Sequence, residues 1–137
     1  MYHAAQVNNE VFTNSTIDIE AHRCSIELPI KPAYFHALGA IHGAVYFKLL
    51  DDAAYFAAAS VEQNYFIVTT TFNINLVRPV SKGRLVATGE LIFKSGQILM
   101  AESKLHNEQG KLVAFGNGQF SLSKKALDQA KGYGIEV

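Results

Sequence analysis

The stretch Gly43-Ala44-Val45-Tyr46-Phe47-Lys48-Leu49-Leu50-Asp51-Asp52-Ala53-Ala54-Tyr55-Phe56-Ala57-Ala58-Ala59-Ser60-Val61-Glu62-Gln63 decides the fold. Its alanine density and length favour a helix. Apolar residues occur all around it, leaving almost no polar face, and a helix of that kind is buried. Asn64 offers a terminator. A lone buried helix needs other elements to cover it, and the flanking sequence supplies strands.

Upstream, His22 to Ile30 alternates, with Cys24, Ile26, Leu28 and Ile30 on one side and Arg23, Ser25 and Glu27 on the other. Pro29 and Pro32 stop it, and Lys31 to Ile41 reads as a loop in which Gly39 can take an unusual backbone angle. Downstream come four β-rich segments: Tyr65 to Val77, Leu85 to Lys94, Gln97 to His106, and Lys111 to about Ser123. Pro79 closes the first, Ser95-Gly96 marks a hairpin, and Gly116 and Gly118 suggest a bulge or a close approach in the last. Residues 1–16 read as a polar, irregular surface extension with at most a helical turn, and Asn14-Ser15-Thr16 as a turn rather than a glycosylation acceptor. Residues 124–137 read as a polar tail with a short helix at Lys125 to Lys131. The expectation is one α+β domain over residues 1–137, with an antiparallel five-stranded sheet curled around a single long helix. Such a sheet keeps open edges and an incompletely covered helix, which invites a second copy.

At 137 residues and 15.0 kDa there is room for one domain. Twelve basic residues balance twelve acidic ones, which argues against a protein held to nucleic acid or lipid by a bulk positive field. The single Cys24 excludes an internal disulfide and a thiolate zinc cage, and it reads as core. The N-terminus lacks signal-peptide order, and no apolar run approaches the roughly 20 residues a membrane span requires. A cytoplasmic location is the resulting expectation.

The chemistry concentrates on the helix. Burying an ionised carboxylate without a partner costs several kcal/mol, yet Asp51 and Asp52 stand side by side in the most apolar helix of the chain. Lys48 lies three residues before one and four before the other, and can neutralise either. One cation cannot satisfy both. At the helix start, His42-Gly43 precedes N–H groups that lack intrahelical acceptors and favour negative charge. Such a site can hold the oxygen of a thioester carbonyl under attack. Asp51 follows Gly43 by eight residues, about 12 Å along a helix, whereas attack needs atoms about 3–3.5 Å apart. If both residues act on one carbonyl, they come from different chains.

These residues carry a resemblance. With His42, Gly43 and an acid nine positions after the histidine, the sequence resembles the PaaI-like hotdog-fold acyl-coenzyme A thioesterases from about Ala21 to Ser123. Thr71-Phe72-Asn73-Ile74-Asn75-Leu76-Val77-Arg78-Pro79 and Lys111-Leu112-Val113-Ala114-Phe115-Gly116 fit the same family pattern. The resemblance implies sheet order 1-3-4-5-2, dimers joined through the second strands, and further pairing into tetramers. It selects Asp51 over Asp52 as nucleophile or general base, Gly43 as the oxyanion donor supported by His42, and Thr69 as a positioning hydroxyl. Asp51 and Thr69 would face His36, His42 and Gly43 of the partner chain. Two positions depart from the pattern. Ala44 replaces a second glycine, and His36 stands where the family usually has Asn or Gln.

Hydrolysis of a thioester with these groups needs no metal and no cofactor beyond the coenzyme A of the substrate. Arg78, Lys82, Arg84 and Lys94 are candidates for a rim that binds its phosphates. Phe47, Tyr55 and Phe56 are candidates for the acyl pocket, with core packing the commoner fate of such residues. Two other readings remain open: a hotdog hydratase or dehydratase, and a non-catalytic acyl-coenzyme A binding module.

Overall fold

The computed structural model describes residues 1–127. It contains a short helix α1 (Gln6–Glu10), a long helix α2 (Gly43–Ala59) and six strands: β1 (Thr16–Glu20), β2 (Arg23–Pro29), β3 (Tyr65–Leu76), β4 (Arg84–Ser95), β5 (Ile98–His106) and β6 (Leu112–Ala126). All six form one sheet in the order β1-β2-β4-β5-β6-β3, with every neighbouring pair antiparallel. The five strands read from the sequence occupy their expected order. The sheet nevertheless has six strands rather than five, because Thr16–Glu20 folds back on β2 and becomes a second edge.

Helix α2 begins where His42 caps it and ends four residues short of Gln63. There, Ser60 Oγ donates to the Ala57 carbonyl at 2.7 Å and accepts the His22 N–H at 2.8 Å. Its alanines serve close packing. Ala53, Ala54, Ala57 and Ala58 are fully buried, and a Cβ on Gly89 of β4 would lie 2.1 Å from the Ala53 carbonyl oxygen. Helix and sheet touch backbone to backbone at that point. The buried Ser103 of β5 donates to the Leu50 carbonyl at 2.8 Å, so this polar side chain against the helix is satisfied there.

The ends of the chain differ most from the sequence reading. Residues 1–16 hold the expected short helical turn, at Gln6–Glu10, and most of them stay exposed or half-buried, but three are anchored in the fold. Tyr2 is 4% exposed, Asn8 and Ser15 are buried, and the segment packs on α2 at Lys48 and Phe56. Its aromatic residues find partners far along the chain, with Tyr2 set edge-on against Phe56 at 5.6 Å and Phe12 stacked on Tyr34 at 5.5 Å. Asn14 adopts φ 64° in the turn before β1. At the other end, β6 continues to Ala126, so residues 124–126 belong to the sheet rather than to a tail. Residues 128–131 of the expected Lys125 to Lys131 helix lie outside the described residues. Gly116 and Gly118 mark a close approach rather than a bulge, since added Cβ atoms would meet Asn73 O and Phe72 Cδ2, each at 2.3 Å. Among the described residues no helix is long and apolar enough to cross a membrane.

Candidate active site

The helix start is built by a histidine. His42 sits in extended geometry, φ −64° and ψ 142°, and its Nδ1 accepts the Ala44 N–H at 2.9 Å. Gly43 follows at the first helical position, where the N–H has no acceptor within the helix. The Leu76 side chain lies against this glycine, its Cδ1 3.4 Å from where a Cβ would stand. His36 repeats the His42 arrangement in the preceding loop, with Nδ1 accepting the Leu38 N–H at 3.0 Å. A ring nitrogen that accepts carries no proton, so each neutral imidazole keeps its N–H on Nε2.

Two turns up α2, the acids separate. Lys48 is ion-paired with Asp52, and Asp51 points instead toward β3, where Thr69 Oγ1 donates to its Oδ1 at 3.0 Å. The threonine stands beside a bulge. Thr69 pairs with Phe120 and Thr71 with Gln119, leaving Thr70 as the extra residue with its hydroxyl on the Gln119 carbonyl at 2.8 Å. Bulges bend strands and re-aim side chains. Burial raises the Asp51 carboxyl above the ordinary carboxylate value; the Thr69 hydroxyl opposes this, Asp52 adds to it, and Lys48 also opposes it. Asp52 is raised too, by burial, with Lys48 opposing.

Phe47, Asp51 and Tyr55 are spaced by four and share one helix face. Phe47 packs edge-on against Phe72 at 5.8 Å, while the Tyr55 hydroxyl donates to the Ile67 carbonyl at 2.7 Å. The carboxylate is thus flanked by two aromatic rings beside the exposed strand β3. Gly43 lies on the same helix, about 12 Å away along the axis.

The four basic candidates do not form one rim. Arg84 and Lys94 lie near opposite ends of β4, roughly 30 Å apart at strand spacing. Arg84 pairs with Glu27 and, at 3.8 Å, with Glu108, and Lys94 pairs with Glu62 at 3.6 Å. Arg78 and Lys82 have no carboxylate partner among the described residues. Arg78 lies close to the start of α2, its carbonyl accepting the Tyr46 hydroxyl at 3.0 Å and its Nε donating to Leu112 O at 3.0 Å. Cys24 is 3% exposed, and burial pushes its thiol up to about 12, which fits a core residue rather than a nucleophile. Among the described residues no group of three His, Cys, Asp or Glu side chains is placed to hold a metal ion.

One helix against an antiparallel sheet in this strand order is the hotdog architecture, here carrying a half-buried acid on its helix. The model of the thioesterase superfamily matches residues 38–114, and the chain belongs to that family, whose chemistry is thioester hydrolysis. A Saccharolobus solfataricus protein named Putative esterase SSO2140 is 27% identical over 84% of this chain and 81% of its own. Among solved structures, the E. coli PaaI protein from the phenylacetic acid degradation operon superimposes with a TM-score of 0.82. It is 20% identical, over 91% of this chain and 89% of that one. The Haemophilus influenzae thioesterase HI1161 gives 0.75 at 20% identity, over 86% of each chain.

Proposed function

We infer that this thioesterase hydrolyses acyl-coenzyme A, with each active site shared between two copies of the chain. The observation that carries this reading is the Thr69–Asp51 hydrogen bond on a half-buried carboxylate whose nearest cation is committed to Asp52. A buried acid without an ion pair is costly as a structural element. As a base or nucleophile it is useful.

In the reaction, the Gly43 N–H of one protomer, supported by the His42 cap, holds the thioester carbonyl oxygen. The partner's Asp51 either attacks the carbonyl carbon or removes a proton from the water that does; both routes require it ionised. The tetrahedral centre then collapses, the carbon–sulfur bond breaks, and the coenzyme A thiolate leaves and takes up a proton. If Asp51 itself attacked, water then cleaves the acyl-aspartyl anhydride, which releases the acid and restores the carboxylate. His36, with its Nε2–H available as a donor, is assigned to the water or the departing sulfur. Arg78 and Lys82 are assigned to the coenzyme A phosphates, and Phe47 and Tyr55 to the acyl group.

Two features support a site shared across chains. Gly43 and Asp51 of one helix are too far apart to serve one carbonyl, and β3 is an uncovered sheet edge twelve residues long. Tyr65, Val68 and Leu76 are 46%, 46% and 56% exposed there, and an edge of that length readily pairs with another strand. Thr69 lies on that edge.

Release of free thiol from a panel of acyl-coenzyme A esters tests the activity. Wild type is expected to turn over at least one ester, and Asp51→Asn to lose at least about a hundredfold in rate. Binding without turnover would favour the non-catalytic module, and loss of an enoyl chromophore would favour a hydratase.

A further inference from the structure

We propose that Lys48, gripped by the N-terminal segment, is a positioning residue that ties up Asp52 so that the adjacent Asp51 stands as a free carboxylate. The inference rests on the reading of Asp51 as the reacting group. On an isolated helix a lysine at this spacing would divide itself between both acids. Here its surroundings choose. Lys48 Nζ donates to Asn8 Oδ1 at 2.7 Å and is ion-paired with Asp52; it lies 5.5 Å from the Tyr2 ring centroid and 5.2 Å from that of Phe12. Both side chains of the pair are less than a fifth exposed, at 17% and 18%. Asn8 is itself fixed, since its Nδ2 donates to the Tyr2 carbonyl at 2.8 Å, and the Tyr2 hydroxyl donates to Ser15 Oγ at 3.1 Å. Acceptors and π-faces other than Asp51 therefore hold the ammonium.

The same segment braces the loop that carries the histidines. Phe12 stacks on Tyr34, the Tyr34 hydroxyl donates to the Val11 carbonyl at 3.0 Å, and the Tyr34 carbonyl accepts the His42 N–H at 2.9 Å. One stretch of chain thus touches both halves of the site.

The charges that matter are few. Asp51 faces Lys48, Asp52 and Tyr55 on its own helix, and the Thr69 hydroxyl on β3. Asp52 faces Lys48, Asp51 and Tyr55 on α2, Tyr2 from the N-terminal segment and Cys24 from β2. Burial raises Tyr2, Cys24 and Tyr55, which leaves all three uncharged near neutrality. One cation therefore balances two carboxylates. Without Lys48 the acids repel, and a pair of that kind retains a proton.

The test follows the Asp51 carboxyl carbon by NMR across a pH titration of the full chain, alongside the pH dependence of kcat/KM. Lys48→Met should move the Asp51 titration and the acidic limb of the rate upward by at least about half a pH unit. Asp52→Asn should move both downward, and the double variant should return toward wild type. Asn8→Ala should move both downward, because a released ammonium divides between the acids. An Asp51 titration unchanged in Lys48→Met would overturn the proposal. If that variant does not fold, Asp52→Asn decides, and an unmoved titration there overturns it equally. Absence of thiol release by wild type from every ester would defeat the functional reading alone, and the NMR titration would still decide the coupling.

Discussion

Asp51 gathers the consequences of burial in one side chain. Its carboxyl is raised above the unfolded value, so the folded protein keeps that proton to a higher pH than the unfolded chain does. Once both states have lost it, the ionised group opposes folding. That opposition is absent below about pH 4 and complete above the folded titration. At pH 8, Asp51→Asn should therefore raise Tm by about 1–3 °C while removing turnover, a separation readable by calorimetry and thiol release on one sample. A lowered Tm would mean that the carboxylate is structural. Thr69→Val preserves branching at Cβ but removes the hydroxyl that donates to Asp51. It should shift the acidic limb of kcat/KM upward, since that hydrogen bond favours the ionised form; an unmoved limb would disconnect Thr69 from the site.

Elements place these residues, and their legibility in the sequence varied for physical reasons. Helix α2 could be read because alanine-rich, apolar sequence has few alternatives at that length. Strands β2 to β6 could be read because alternation and turn residues bound them. β1 could not: Ile17 is only half-buried and Ile19 is 45% exposed, so its pattern promised little burial, and its place is set by pairing with β2. The clasp over α2 was hidden for a different reason. Tyr2, Asn8 and Phe12 gain their places from Lys48, Phe56 and Tyr34, contacts no local window contains. Of the site, the positions of His42, Gly43 and Asp51 on a helix were legible, whereas the division of Lys48 between two equally spaced acids was decided only by tertiary structure. The close seating of α2 on β4 makes its own prediction. Gly89→Ala should destabilise the fold by about 1–3 kcal/mol in a denaturant titration, because the new methyl would overlap the Ala53 carbonyl. Unchanged stability would show that helix and sheet have room to separate.

At the scale of the whole molecule, the fold leaves one long strand edge uncovered and puts an acid and its threonine beside it, with Gly43 of the same chain, the proposed oxyanion donor, about 12 Å along the helix. A second copy would complete the site. Gly43→Pro tests this cleanly. Proline is accepted at a first helical position, the extended backbone of His42 already suits a following proline, and the substitution removes the N–H assigned to the carbonyl. The decisive measurement is complementation. Asp51→Asn and Gly43→Pro proteins, each inactive alone, are unfolded together, refolded as a mixture and assayed for thiol release. Random pairing makes half the dimers mixed, each with one intact site, so a site shared between chains should recover roughly a quarter of the wild-type rate. A mixture as inactive as its components would contradict a site shared between chains.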